Sequence, residues 1–176
     1  MDNPLSYLNY SKFMQDAIIA ALNTKAFPNP KVAAVLTDNK GNIKSTGVHH
    51  GPGTNHAEID LLSKTTIDKD DILYVTLEPC FHADSSPSCA VELLNTSLQN
   101  IVIGDIDVDP RTNGKSIELF KNKGLNIQFE YNANNLINPH YLNQKLNENS
   151  NTVIGKIASS QNNYIYNDKT EDKFLK

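Results

Sequence analysis

The chain has 176 residues, 39% of them hydrophobic and 20% charged, with a formal net charge of −4. A core can form from this composition, and wholesale disorder is excluded. All but one of the 16 basic residues are lysines, the exception being Arg111, and the acidic balance argues against a nucleic-acid-binding face. No apolar run reaches the ~18–20 residues a membrane span requires, and the first residues lack the charged-then-apolar plan of a secretion signal. Two cysteines, Cys80 and Cys89, are too few for a disulfide framework. The expected setting is a reducing cytoplasm, in which each cysteine needs another role.

In chain order, apolar residues at helical spacing predict an amphipathic helix over 10–22. Pro28-Asn29-Pro30 stops it and forces an extended turn. A strand over 32–37, the turn Asp38-Asn39-Lys40-Gly41-Asn42 and a strand over 43–48 form a hairpin. A Gly-Pro-Gly loop precedes a helix over 57–63. A third strand over 72–77 ends at Glu78-Pro79-Cys80, and a helix begins at Cys89. A fourth strand over 101–104, a helix over 116–123 stopped by Gly124, and a fifth strand over 125–131 complete the pattern. A hairpin followed by strand–helix alternation predicts a three-layer α/β/α sandwich around a mixed five-stranded sheet. Residues 134–146 read as a helix that Pro139 must open or break. Residues 153–158 read as a sixth strand without a partner, so the expected boundaries are a domain over 1–147 and, over 148–176, a linker leading into a second domain or a tail docked on the first.

The chemistry-bearing residues are His56-Ala57-Glu58 and, downstream, Pro79-Cys80 and Cys89. One imidazole and two thiolates are a three-ligand zinc set that leaves the fourth position open for water. Glu58, two residues past the histidine at a helix start, can reach that water without ligating. The general chemistry of zinc deaminases uses such a set, with a non-ligating glutamate moving protons. Their usual cysteine spacing is two intervening residues, whereas eight separate the cysteines here. Glu78, before Pro79, is expected to hold backbone N–H groups rather than to act in catalysis.

The run Thr76-Leu77-Glu78-Pro79-Cys80-Phe81-His82, with Pro87 and Cys89, resembles the deaminase domain of the bacterial riboflavin-biosynthesis family RibD, which has the same long interval between its cysteines. Pro28-Asn29-Pro30, Gly47-Val48-His49 and the stretch from Asp107 to Gly114 fit it too, and Lys156-Ile157-Ala158 with Ser160 is similar to the first strand of that family's reductase domain. The resemblance implies a cytidine deaminase-like fold and hydrolytic deamination of a small-molecule pyrimidine, 2,5-diamino-6-ribosylamino-4(3H)-pyrimidinone 5′-phosphate. It implies one Zn²⁺ held by His56, Cys80 and Cys89, with Glu58 as general acid and base, and Asn29, His49, His82 and the position of Ser85 lining the substrate pocket. Ser85 falls where the family carries a basic residue, and Asp84 stands beside it; Arg111 and Lys115 are the cations that could compensate. With most of a reductase missing, no NADPH site is expected. A homo-oligomer is expected, with neither nucleic acid nor membrane as partner. The alternatives are a deaminase of another base or nucleoside, and a catalytically silent zinc-stabilised scaffold.

Overall fold

The computed structural model describes residues 10–83, 87–131 and 133–146, with the backbone alone for 143–146. Helix α1 (Lys12–Leu22) opens at Ser11, whose hydroxyl accepts the Met14 N–H at 3.2 Å. Strands β1 (Ala33–Thr37) and β2 (Ile43–Val48) form the hairpin. Its turn is held by Asp38, which accepts the N–H groups of Lys40 and Asn42 at 2.8 Å each, while Gly41 adopts φ 80°. Helix α2 (Ala57–Leu62), strand β3 (Ile72–Val75), helix α3 (Cys89–Leu94), strand β4 (Asn100–Ile103), helix α4 (Lys115–Asn122) and strand β5 (Asn126–Phe129) follow in alternation. After α4, Leu125 N–H reaches the Phe120 carbonyl and Gly124 N–H that of Lys121, with Gly124 at φ 81°. This helix stop needs a residue tolerant of positive φ.

The sheet order is β2-β1-β3-β4-β5, antiparallel at β2/β1 and β1/β3 and parallel at β3/β4 and β4/β5. Successive residues of a strand face opposite layers. Ala34, Leu36, Leu73, Val75, Ile101 and Ile103 therefore meet α2, α3 and α4 on one side. On the other side Ala33, Val35, Tyr74 and Val102 meet Met14, Ala17, Ile18 and Ala21 of α1. This is the three-layer sandwich around a mixed sheet that the sequence pattern predicts. Among the described residues no helix is long and apolar enough to cross a membrane.

The helix expected over 134–146 is two, α5 (Ala133–Ile137) and α6 (Pro139–Leu146). Proline cannot donate to the preceding turn and biases the residue before it away from helical geometry. Asn138 occupies that break and turns it to use: its side chain accepts the Lys31 N–H at 2.7 Å and donates to the Lys31 carbonyl at 2.9 Å. The buried amide ties the α5–α6 corner to the chain just after Pro30. The expected sixth strand, and the whole of 148–176, lie outside the described residues.

Candidate metal centre and active site

The site gathers where β3 runs out, at the starts of α2 and α3. Helix α2 lies close on β2: a Cβ built on Gly47 would stand 2.0 Å from the Ala57 carbonyl oxygen and 2.6 Å from the Leu61 nitrogen. Only glycine allows that approach. It sets the first turn of α2, and therefore His56 and Glu58, against the end of the hairpin. On the other flank, α3 starts with Ser88 as its N-cap, whose hydroxyl donates to the Cys80 carbonyl at 2.8 Å. Ala90 N–H donates to the same carbonyl at 3.2 Å, and Cys89 N–H donates to Cys80 Sγ at 3.3 Å. A backbone N–H at a helix start favours a thiolate at that sulfur.

His56 Nδ1 lies 3.5 Å from Cys80 Sγ and 3.3 Å from Cys89 Sγ, and the three donor atoms all fall within 4.8 Å of one another. A tetrahedral zinc with Zn–S of about 2.3 Å and Zn–N of about 2.0 Å requires ligand atoms about 3.5–3.8 Å apart. The donor set and its spacing fit zinc. Cys80 is drawn down to about 4 by the hydrogen bond from the Cys89 thiol, with His56 adding to the effect against the cost of burial. Cys89 moves up correspondingly, because in this pair it keeps the shared proton.

Glu58 is buried, lines the same cavity of about 380 Å³, and has its carboxyl raised to about 7 by burial and then by the charge of Cys80. A proton-transfer group works best with its pKa near the working pH. His49 is held on both edges: Nδ1 sits 2.9 Å from the Asn55 carbonyl and Nε2 3.0 Å from Asn29 Nδ2. A carbonyl only accepts and an amide nitrogen only donates, so His49 is neutral with its proton on Nδ1. Burial, and the proximity of His56, push its pKa down in agreement. Asn29 thus presents its amide nitrogen to His49. His82 Nδ1 lies 3.1 Å from Thr112 Oγ1, which also accepts the Phe81 N–H at 3.3 Å. Asn29, His49, His56, Glu58, Cys80 and His82 thus share one cavity. Cys89 sits against it through the sulfur cluster, and Ser85 lies outside the described residues.

The opposite wall is built around Glu78, the loop between β4 and α4, and Tyr141. Glu78 holds backbone N–H groups, as expected: its carboxylate accepts those of Asp107 (3.2 Å), Gly114 (3.0 Å) and Ser116 (3.1 Å). That organises the loop between β4 and α4. Within it Asp107 accepts the Asp109 N–H at 2.9 Å and the Tyr141 hydroxyl, arriving from α6, at 2.7 Å. Asp109 grips the Arg111 guanidinium, with Nε at 3.1 and 3.3 Å from its two oxygens and Nη2 at 2.8 Å. Asp107, Asp109, Arg111 and Tyr141 all line the cavity. The one local signal was the Asp-Val-Asp-Pro-Arg turn itself; nothing near Tyr141 announces its contact with Asp107.

A sheet with this mixed order and a His–Cys–Cys cluster over a buried glutamate define the class. The family model for the cytidine and deoxycytidylate deaminase zinc-binding region matches residues 8–105, and the chain belongs to that family of zinc-binding deaminases. More particularly, it is 34% identical over 102 residues to the diaminohydroxyphosphoribosylamino-pyrimidine deaminase of Buchnera aphidicola subsp. Schizaphis graminum, covering 57% of this chain and 69% of that one. It is 33% identical over 118 residues to the riboflavin biosynthesis protein RibD of Aquifex aeolicus, covering 65% of this chain and 33% of that one. Among solved structures, Acinetobacter baumannii RibD superposes with a TM-score of 0.69 at 27% identity, over 77% of this chain and 39% of that one. The chain therefore spans about a third of the Aquifex RibD and most of the Buchnera deaminase.

Proposed function

We propose that this protein is a zinc-dependent deaminase of a pyrimidine carrying a phosphoribosylamino group, the substrate named for its Buchnera relative. In this reading His56, Cys80 and Cys89 hold the metal and Glu58 is the general acid and base. The observation that carries it is the union of a three-donor cluster of zinc dimensions with a buried carboxyl raised to about 7 in the same cavity. Zinc, when bound, supplies a Lewis acid and lowers the pKa of the water it holds.

The chain's own residues do the rest. Glu58 accepts a proton from water, delivers it to the ring nitrogen next to the amino-bearing carbon, and then assists departure of ammonia. Neutral His49 stays out of the proton traffic and fixes the Asn29 amide, whose oxygen is left as an acceptor for an N–H of the ring edge. His82, held by Thr112, contributes a second polar contact. The experiment is ammonia release from the phosphoribosylamino-diaminopyrimidinone by metal-replete protein, which a zinc chelator should abolish and added zinc restore. Turnover that survives complete removal of zinc would sink the reading.

The proposal places the deaminase domain in residues 1–147 and the protein in the cytoplasm, where both free cysteines stay reduced. It includes a homo-oligomer, supported by the exposure of large apolar residues such as Phe27 (71%), Val91 (45%) and Leu22 (40%). Sedimentation giving a monomer at micromolar concentration would contradict that part.

A further inference from the structure

Tyr141 stands in the cavity wall although it comes from α6, far along the chain from the other lining residues. The Asn138 corner fixes where α6 starts, tying it to Lys31 just past the Pro28-Asn29-Pro30 stretch of the same cavity. Tyr141 is 7% exposed, and its hydroxyl donates to Asp107 Oδ1 at 2.7 Å. Asp107 is itself 7% exposed, and the same oxygen accepts the Asp109 N–H at 2.9 Å. Both donors thus converge on Oδ1, and among the described residues none meets Oδ2. The Asp109 contact alone, a local turn, leaves a carboxyl free to rotate and exchange its oxygens. The hydroxyl arriving from 34 residues away fixes which oxygen faces the protein. Burial raises the Asp107 carboxyl in spite of both donors, so the group gains from one donor more. Burial and the Asp107 charge push the Tyr141 hydroxyl up as well, which keeps it a donor.

We infer that Tyr141 is a positioning residue that turns the second oxygen of Asp107 toward the cavity, where it accepts a hydroxyl of the substrate's ribosyl group. This rests on the deaminase reading and adds a specificity determinant to that site. The chemistry of the substrate picks the group. Its reacting ring belongs with Glu58 and the His–Cys–Cys cluster, and its phosphate, itself anionic, is repelled by a carboxylate. The sugar hydroxyls between them are donors, and a carboxylate oxygen only accepts.

The test measures ammonia release by the metal-replete full chain for wild type, Tyr141→Phe, Asp107→Asn and the double variant, at a temperature where all four are folded. Each is assayed on the phosphorylated substrate and on its dephosphorylated riboside. Asp107→Asn should raise KM about ten- to hundred-fold, the worth of a hydrogen bond to a charged acceptor. Tyr141→Phe should raise it about three- to ten-fold, with kcat and bound zinc near wild type. The double variant should show a KM no higher than that of Asp107→Asn, because Tyr141 acts through that carboxylate. Both factors should recur on the riboside, which keeps the sugar and lacks the phosphate. Additive effects in the double variant, or a Tyr141→Phe loss that falls on kcat or zinc, would overturn the positioning role. An Asp107→Asn protein with unchanged or lower KM, or a rise confined to the phosphorylated compound, would overturn the sugar contact. Should the wild type deaminate neither compound, the deaminase reading fails and calorimetry with ribose 5-phosphate decides the sugar contact by itself. Binding that Asp107→Asn abolishes and Tyr141→Phe weakens upholds it, whereas no binding, or binding indifferent to either substitution, refutes it.

Discussion

Glu78 joins the end of β3 to the start of α4, so replacing it tests whether the cavity wall depends on one buried carboxylate. Its oxygens accept three backbone N–H groups, two of them, those of Asp107 and Ser116, in buried bonds. A buried donor stripped of its acceptor costs ~1–3 kcal/mol. Glu78→Ala strips all three and admits water to some of them, so a loss of about 3 kcal/mol or more is expected. Glu78→Gln keeps one acceptor oxygen, enough for the Asp107 and Gly114 donors that share it, and turns an NH₂ toward the Ser116 N–H. Against that loss, the glutamine removes a charge whose burial raises the carboxyl pKa in spite of the backbone N–H donors around it. The net cost should be about 1–2 kcal/mol. In a chain of this length each kcal/mol lowers Tm by about 2–4 °C, so Glu78→Gln should melt ~2–8 °C and Glu78→Ala at least ~6 °C below wild type. Ammonia release at a temperature where both variants are folded should also fall, because the same loop carries Asp107 and the Thr112 that holds His82. A Glu78→Ala protein that melts within about 1 °C of wild type would refute the reasoning.

Two further expectations follow from single contacts. Gly47→Ala drives a methyl into the backbone of α2; stability should drop by ~3 kcal/mol, at the upper end of overpacking costs, and bound zinc should fall because His56 caps the start of α2. Full zinc loading with unchanged urea unfolding would contradict this. Asp60 accepts the Val48 N–H at 2.9 Å and the Lys64 ammonium at 2.7 Å, and these outweigh partial burial to hold its carboxyl below the ordinary value. Its stabilisation is therefore present above the unfolded pKa of about 4 and lost as pH falls through the lower folded value. Asp60→Asn should flatten that acid limb of the urea midpoint, and an unaltered limb would exclude the contribution.

How far the sequence reveals this molecule depends on the range of the interaction. Hydrophobic period and turn chemistry are local, so β2 is predicted to the residue, α1 within two, and the Gly124 stop from one glycine. The break at Asn138 was half legible: Pro139 announces it, but nothing nearby says that Asn138 pairs with Lys31 across 107 residues. The cluster of His56, Cys80 and Cys89 was legible because histidine and cysteine are few here and stand beside proline and a helix start. Glu78 was correctly read as a backbone acceptor, although its partners lie 29–38 residues away. Tyr141 and Asp107 meet only through the tertiary fold, so no spacing rule marks them. Arg111 is intermediate: it is conspicuous as a lone arginine, but its place at the rim comes from Asp109 and the buried loop beneath.

The central claim is that a zinc held by His56, Cys80 and Cys89 works with Glu58 to deaminate a pyrimidine. The most direct measurement is zinc content and ammonia release in parallel for wild type and Glu58→Gln. The account predicts about one zinc per chain in both, with release from the variant reduced at least ~10²-fold, the loss of a proton-transfer group. A folded wild type without zinc, or a Glu58→Gln protein that releases ammonia at the wild-type rate, would contradict it.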